Sequence, residues 1–153
     1  GTPNGYSSAR FAADGSYDLR WHVARGGETT MHLHAPQVLR AGAYPGTGVY
    51  ANVYMGEADS RVEYRVNGGD WQPMRLSGQP DPALRTQNLL DDAAGSLRAY
   101  DRLPEAGNTT HLWRGTLPTD LAPGEYLVEV RAFDRWRGEI RASTSYRLET
   151  AAP

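Results

Sequence analysis

Cysteine is absent from this chain. Its absence excludes disulfides, thiolate zinc sites and cysteine nucleophiles together. Lysine is absent too, and all 16 basic residues are arginine, a composition that fits a GC-rich bacterial genome and says little about chemistry. No apolar run reaches membrane-spanning length, and no leader peptide is legible. Net charge is only −2 and no basic cluster stands out, so nucleic acid is not an expected partner. The nucleophile elbow Gly-x-Ser-x-Gly, the phosphate loop and the dinucleotide fingerprint are all missing. Acids are plentiful, but their spacing singles out no opposed pair of the kind glycoside hydrolysis needs. Gly1 is not a natural start, so the chain is expected to be a fragment or processed product of a larger protein.

What is present points to a β domain. Hydrophobic residues make up 39% of the chain, beside 17 Gly and 10 Pro, which suits many short strands and turns. A chain of 153 residues can bury about 70% of its unfolded surface around one core. It is short for two ordinary domains. Residues 109–147 organise the rest. Tyr126, Val128, Val130 and Ala132 alternate with Leu127, Glu129, Arg131 and Phe133. Beyond Gly138, the run through Ile140, Ala142, Thr144, Tyr146 and Leu148 alternates with Arg141, Ser143, Ser145 and Arg147. Period-2 alternation sets one face on a core and the other towards water, so the two runs read as a hairpin. Leu121-x-Pro123-Gly124-x-Tyr126 ahead of them looks like the corner between two sheets of an immunoglobulin- or fibronectin-like sandwich.

From the start, Pro3 and Asn4-Gly5 break regular structure, so residues 1–10 read as a leading arm. Tyr17 to Val23 alternates as a half-buried strand, paired with Phe11 across Asp14-Gly15 or with Met31 to Ala35. Val49 to Tyr54 and Arg61 to Val66 are further strands. Asn67-Gly68 is a strong hairpin turn, and Trp71 to Leu76 is a return strand that Pro73 confines to an edge. Asp81 can cap a helix, Pro82 suits its first position and Gly95 its stop. Leu84, Leu89, Leu90, Ala93 and Leu97 form an imperfect apolar stripe along it. Residues 77–108 therefore read as a helix-containing insertion between strands. About eight strands result, which predicts a mainly β antiparallel sandwich over residues 1–153 as one domain.

His32 and His34 are the one close pair of histidines. Side chains at i and i+2 of a strand share a face, so both could reach one metal. Zinc normally takes three or four protein ligands, and no acid sits beside them in sequence. The competing reading is two polar side chains on a wet strand face.

A wider pattern runs through the chain: Gly1-Thr2-Pro3-Asn4-Gly5-Tyr6, then Asp14-Gly15-x-Tyr17, then Val49-Tyr50-Ala51-Asn52-Val53-Tyr54. It continues with Met74-Arg75 before Asp81-Pro82-Ala83, then His111-Leu112-Trp113-Arg114, then Pro123-Gly124-x-Tyr126-x-x-x-Val130-Arg131-Ala132-x-Asp134. This order resembles the C-terminal domain of secreted bacterial calcineurin-like phosphoesterases, from Gly1 to about Leu148. The resemblance implies a parent hydrolase with a preceding metallophosphatase domain that holds two divalent metal ions, and a periplasmic or extracellular location. None of that family's metal motifs is complete here. The implied role is a non-catalytic accessory domain whose partner is the catalytic domain of the same chain, packing on it and shaping its substrate cleft.

Candidate contact residues follow. Asn4 and Tyr6 lie near the join. Arg114, with His111 and Trp113 just before it, could take a phosphate oxygen bidentately. Trp113 could stack on a ring or, ahead of that, be the core tryptophan. Trp136 and Arg137 sit in a hairpin tip, exposed by position. Two other classes remain: a carbohydrate- or surface-binding module built on exposed aromatics, and a purely structural domain.

Overall fold

A computed structural model describes residues 3–25, 27, 29–98 and 100–150. In chain order the strands are β1 (Gly5–Phe11), β2 (Tyr17–Val23), β3 (Met31–His34), β4 (Val38–Arg40), β5 (Gly48–Val53), β6 (Val62–Val66), β7 (Gln72–Pro73) and β8 (Arg75–Leu76). The helix α1 (Pro82–Ala93) follows, then β9 (Leu112–Thr116), β10 (Gly124–Asp134) and β11 (Gly138–Glu149). One sheet has the order β4-β11-β10-β6-β7 and the other β3-β5-β9-β8. β1 and β2 form a separate two-stranded ribbon. Neighbouring strands are antiparallel except β4, which runs parallel to β11. No helix among the described residues is long and apolar enough to cross a membrane.

The two larger sheets form a β-sandwich, and the alternation read from the sequence decides which side chains meet. Val128, Val130 and Ala132 of β10, with Ile140, Tyr146 and Leu148 of β11, close on Val49 and Ala51 of β5 and on Trp113 of β9. Fully burying one such aliphatic side chain stabilises by about 1.5–3 kcal/mol. Tyr126 makes the corner: its hydroxyl donates to the Ala122 carbonyl at 2.7 Å. At the Asn67-Gly68 turn both residues have positive φ, 47° and 71°, the conformation that dipeptide suits.

Three features depart from the sequence reading. The leading arm is not irregular throughout, because β1 starts at Gly5 and pairs with β2 along its whole length. Its residues show no one-sided burial, since both faces of the ribbon are largely open. The return strand over Trp71 to Leu76 splits in two. β7 pairs with β6 in one sheet and β8 with β9 in the other, and buried Met74 marks the step between them. The opposite side has the same construction, where residues 35–37 carry the chain from β3 in one sheet to β4 in the other.

The third departure is α1. Asp81 caps it and Pro82 sits at its start, as its sequence signals predict. Two of its leucines face out, however: Leu89 is 71% and Leu90 60% exposed, while Leu84 is half-buried. The side chain it buries is Asn88, which donates to the carbonyls of Leu103 (3.2 Å) and Pro104 (3.1 Å) and accepts from the Ala106 amide (3.0 Å). Asp91 accepts from the Leu103 amide, and Asp92 pairs with Arg102. The helix is thus held by hydrogen bonds to its own return loop.

The outer face of the five-stranded sheet is an Arg–Glu ladder. Arg65 makes a two-pronged bond to Glu129 (2.7 and 2.9 Å), and Arg131 bonds Glu63 at 2.7 Å. Arg131 lies directly opposite Arg141, and Glu139 reaches both guanidinium groups. Trp71 lies beneath Arg65 and Arg131, 4.5 and 4.2 Å from its ring.

Candidate functional site

Two surfaces gather the residues singled out from the sequence. The first is the ribbon and the β10–β11 turn against it. Asp134 accepts from the amides of Trp136 and Arg137 and shapes that turn. The turn then grips β2: the Trp136 indole N–H donates to the Tyr17 carbonyl (3.2 Å), and the Arg137 guanidinium donates to the Trp21 carbonyl. Trp136 is therefore half-buried against the ribbon rather than standing free at a hairpin tip, because Tyr17 covers its ring at 6.0 Å. Asn4 helps close the ribbon's base, its carbonyl accepting from the Ala24 amide at 2.8 Å.

An isolated two-stranded hairpin is marginal in water, so these clamps are what hold the ribbon out. Register gives its faces different characters. Phe11, Tyr17, Leu19, Trp21 and Val23 share one face. Tyr6, Ser8, Arg10, Asp18, Arg20 and His22 share the other. On the polar face Tyr6 stacks on His22 at 4.9 Å, and the Ser8 hydroxyl bonds the His22 ring at 2.8 Å. Phe11 is 75%, Tyr6 62% and Tyr17 50% exposed. Phe11, Tyr17 and Trp136 run in one row, tilted 38° and 46° from ring to ring.

The second surface is the outer face of the four-stranded sheet. Register lines up His34, Tyr50, Arg114 and Arg75 in one row across β3, β5, β9 and β8. His32, Asn52 and Leu112 form the next row. Sequence reading named His32, His34 and Arg114 but missed Tyr50, Asn52, Asp81 and Arg75. The insertion supplies Asp81, which is 4% exposed and accepts from the Asn52 amide at 2.8 Å. Arg114 lies flat across Gly48, where a Cβ would come within 2.7 Å of its Nε, and donates to the Gly46 carbonyl at 3.0 Å.

His32 and His34 share this face as expected. Among the described residues, no group of three or more His, Asp and Glu side chains is placed to hold a metal ion. The remaining candidates separate. Trp113 is 2% exposed between the sheets, which puts its ring beyond reach of a ligand. His111 sits at the end of β9, where its Nδ1 bonds the Gly56 carbonyl at 2.8 Å.

Burial lowers the His34 pKa from its ordinary value of 6.5, with Asp81 opposing the shift and His32 adding to it. The folded chain thus holds this proton less well than the unfolded chain. The stabilisation is complete above the ordinary value and is lost as pH falls from there towards the lower folded value. The expected result is a thermal midpoint that drops as pH falls below the ordinary value of 6.5, with a shallower drop in His34→Gln. Equal slopes in the two proteins would refute it.

Residues 1–139 match the model of the family described as the C terminal of calcineurin-like phosphoesterase. No curated protein and no solved structure matches the chain at a significant level.

Proposed function

The chain belongs to the family of C-terminal domains of calcineurin-like phosphoesterases, and on that premise we propose that it is a non-catalytic accessory domain that docks on its catalytic domain through the β1–β2 ribbon. A C-terminal domain of this family implies a catalytic domain in the same chain. The ribbon is the element nearest that join. The observation that carries the reading is the exposed aromatic row on a ribbon with no core of its own, Phe11 at 75% and Tyr17 at 50% exposure. Clustered exposed apolar side chains of this kind mark contact surfaces. The tilt along Phe11, Tyr17 and Trp136 suits packing against an uneven protein surface better than flat stacking on sugar rings. The two metal ions of such a phosphoesterase belong to its catalytic domain, where they activate water and clamp phosphate oxygens. Shaping of the substrate cleft and action outside the cytoplasm are parts of the same proposal, the second resting on the resemblance alone.

The test compares this domain, the full-length parent and the parent carrying Phe11→Ser with Tyr17→Ser, each supplied with manganese or zinc. The isolated domain is expected to leave a chromogenic phosphodiester untouched. The parent is expected to hydrolyse it and to unfold in one calorimetric transition. The double substitution should split that transition in two and reduce turnover of large substrates more than of small ones. Turnover by the isolated domain, or one unchanged transition in the double variant, would overturn the reading.

A further inference from the structure

Two arginines stand directly opposite each other on the four-stranded sheet, and no carboxylate among the described residues pairs with either. Arg75 and Arg114 are directly opposed partners of β8 and β9. Opposed residues of an antiparallel pair hold their Cβ atoms about 5 Å apart, and like charges in that relation destabilise the pair. Neither charge can be relieved by proton loss, since arginine stays protonated in proteins. Arg114 has one bond, to the Gly46 carbonyl. The Arg75 guanidinium has no hydrogen-bond or ion-pair partner among the described residues.

The same domain meets this problem once more and solves it internally. Arg131 and Arg141 are also directly opposed, and there Glu139 reaches both guanidinium groups. At Arg75 and Arg114 no such acid is found among the described residues. The chain supplies a cleft of about 390 Å³, lined by both arginines together with Tyr64, Ser77 and Thr116. Tyr64 donates its hydroxyl to the Thr116 carbonyl at 2.7 Å and fixes one wall. Ser77 adds a hydroxyl at the end of β8, held in place by the bond from its amide to the Leu112 carbonyl (2.7 Å). The bare Gly48 lets the Arg114 side chain lie down along the sheet.

We propose that Arg75 and Arg114 bind a phosphate-type oxyanion, free or as the terminal phosphoryl group of a larger molecule. Two arginines lining one cleft match the charge of a phosphate dianion, and a guanidinium can donate two parallel N–H bonds to a pair of its oxygens. Hydroxyl donors such as Ser77 suit the oxygens left over. The proposal rests on the register of β8 and β9 and is independent of how the domain docks.

Inorganic phosphate and glycerol phosphate are the probes, titrated into the 153-residue chain by calorimetry against chloride and acetate at constant ionic strength. Phosphate is expected to bind and to raise the thermal midpoint where chloride and acetate do not. Arg75→Gln, on the exposed edge, should weaken that binding at least tenfold with its unliganded midpoint nearly unchanged, and Arg114→Gln should do likewise. Equal affinity for inorganic phosphate and glycerol phosphate would assign the site to a phosphoryl group in general. Preference for the inorganic ion would assign it to free phosphate. Binding that survives both substitutions, or acetate binding as well as phosphate, would overturn the proposal.

Discussion

Trp113→Ala is expected to remove about 3–5 kcal/mol of stability. The indole is 2% exposed and sits between the sheets, opposite Ala51 on one side of β9 and Leu76 on the other. The backbone closes over it at Gly56, where a Cβ would lie 2.6 Å from the ring. That closeness is why the space cannot simply fill: small neighbours chosen to admit a large ring leave a cavity when the ring is gone. For a domain of this size each kcal/mol moves the thermal midpoint by roughly 2–4 °C, so a fall of about 10 °C is expected by circular dichroism. A fall of under about 3 °C would mean that the sheets collapse freely onto the gap, against the packing argument. Trp113→Phe, which keeps an aromatic ring there, should recover more than half of the loss.

Asp81→Ala is expected to unlatch the insertion. This carboxylate does two things with its two oxygens. Oδ1 accepts from the Ala83 amide and caps α1 at 2.9 Å, while Oδ2 accepts from the buried Asn52 amide at 2.8 Å. Loss of a helix cap costs about 1 kcal/mol, and loss of the buried bond to Asn52 costs about 1 kcal/mol more. The helix has little else to fall back on, since Leu89 and Leu90 face water and the bonds of Asn88 run to its own return loop. The effect should therefore be local as well as global. Amide exchange over residues 82–94 should accelerate far more than exchange in β10. Uniform acceleration through the whole domain would refute the latch. Asp81→Asn, which keeps an acceptor oxygen, should fall between the alanine variant and the parent protein.

Local chemistry was legible in the sequence wherever neighbours along the chain set the structure. The β10–β11 hairpin follows from strict alternation, and the turn at Asn67-Gly68 follows from two residues that tolerate positive φ. The start of α1 follows from a capping carboxylate before a proline. β1 was illegible because Gly5 to Phe11 is exposed on both faces and carries no apolar period. The outward turn of Leu89 and Leu90 was illegible for a related reason. Their spacing resembles a core stripe, but hydrogen bonds of Asn88 to a distant loop fix how the helix lies. The opposition of Arg75 and Arg114 depends on the pairing register of strands separated by the whole insertion. Arg114 could be named from the motif around it. Its partner could not, because no local signal records which residue a distant strand will set across from it.

The two crossings between sheets have a bearing on self-association. At each side of the sandwich a single chain segment closes both sheets, with Pro36 at one crossing and Pro73 beside the other. The edge strands β3, β4, β7 and β8 are accordingly only 4, 3, 2 and 2 residues long. Fibril growth and runaway strand addition need long, flat, unpaired edges, and none of these four edge strands is one, although β4 covers only Arg147–Glu149 of the longer β11 behind it. The ribbon is different, with two strands of 7 residues and an open edge on each. Arg10, Asp18 and Arg20 place charge along it, as gatekeeping side chains do beside vulnerable strands. Self-association of the free domain is thus expected at the open edges of the ribbon and along the part of β11 that β4 leaves uncovered.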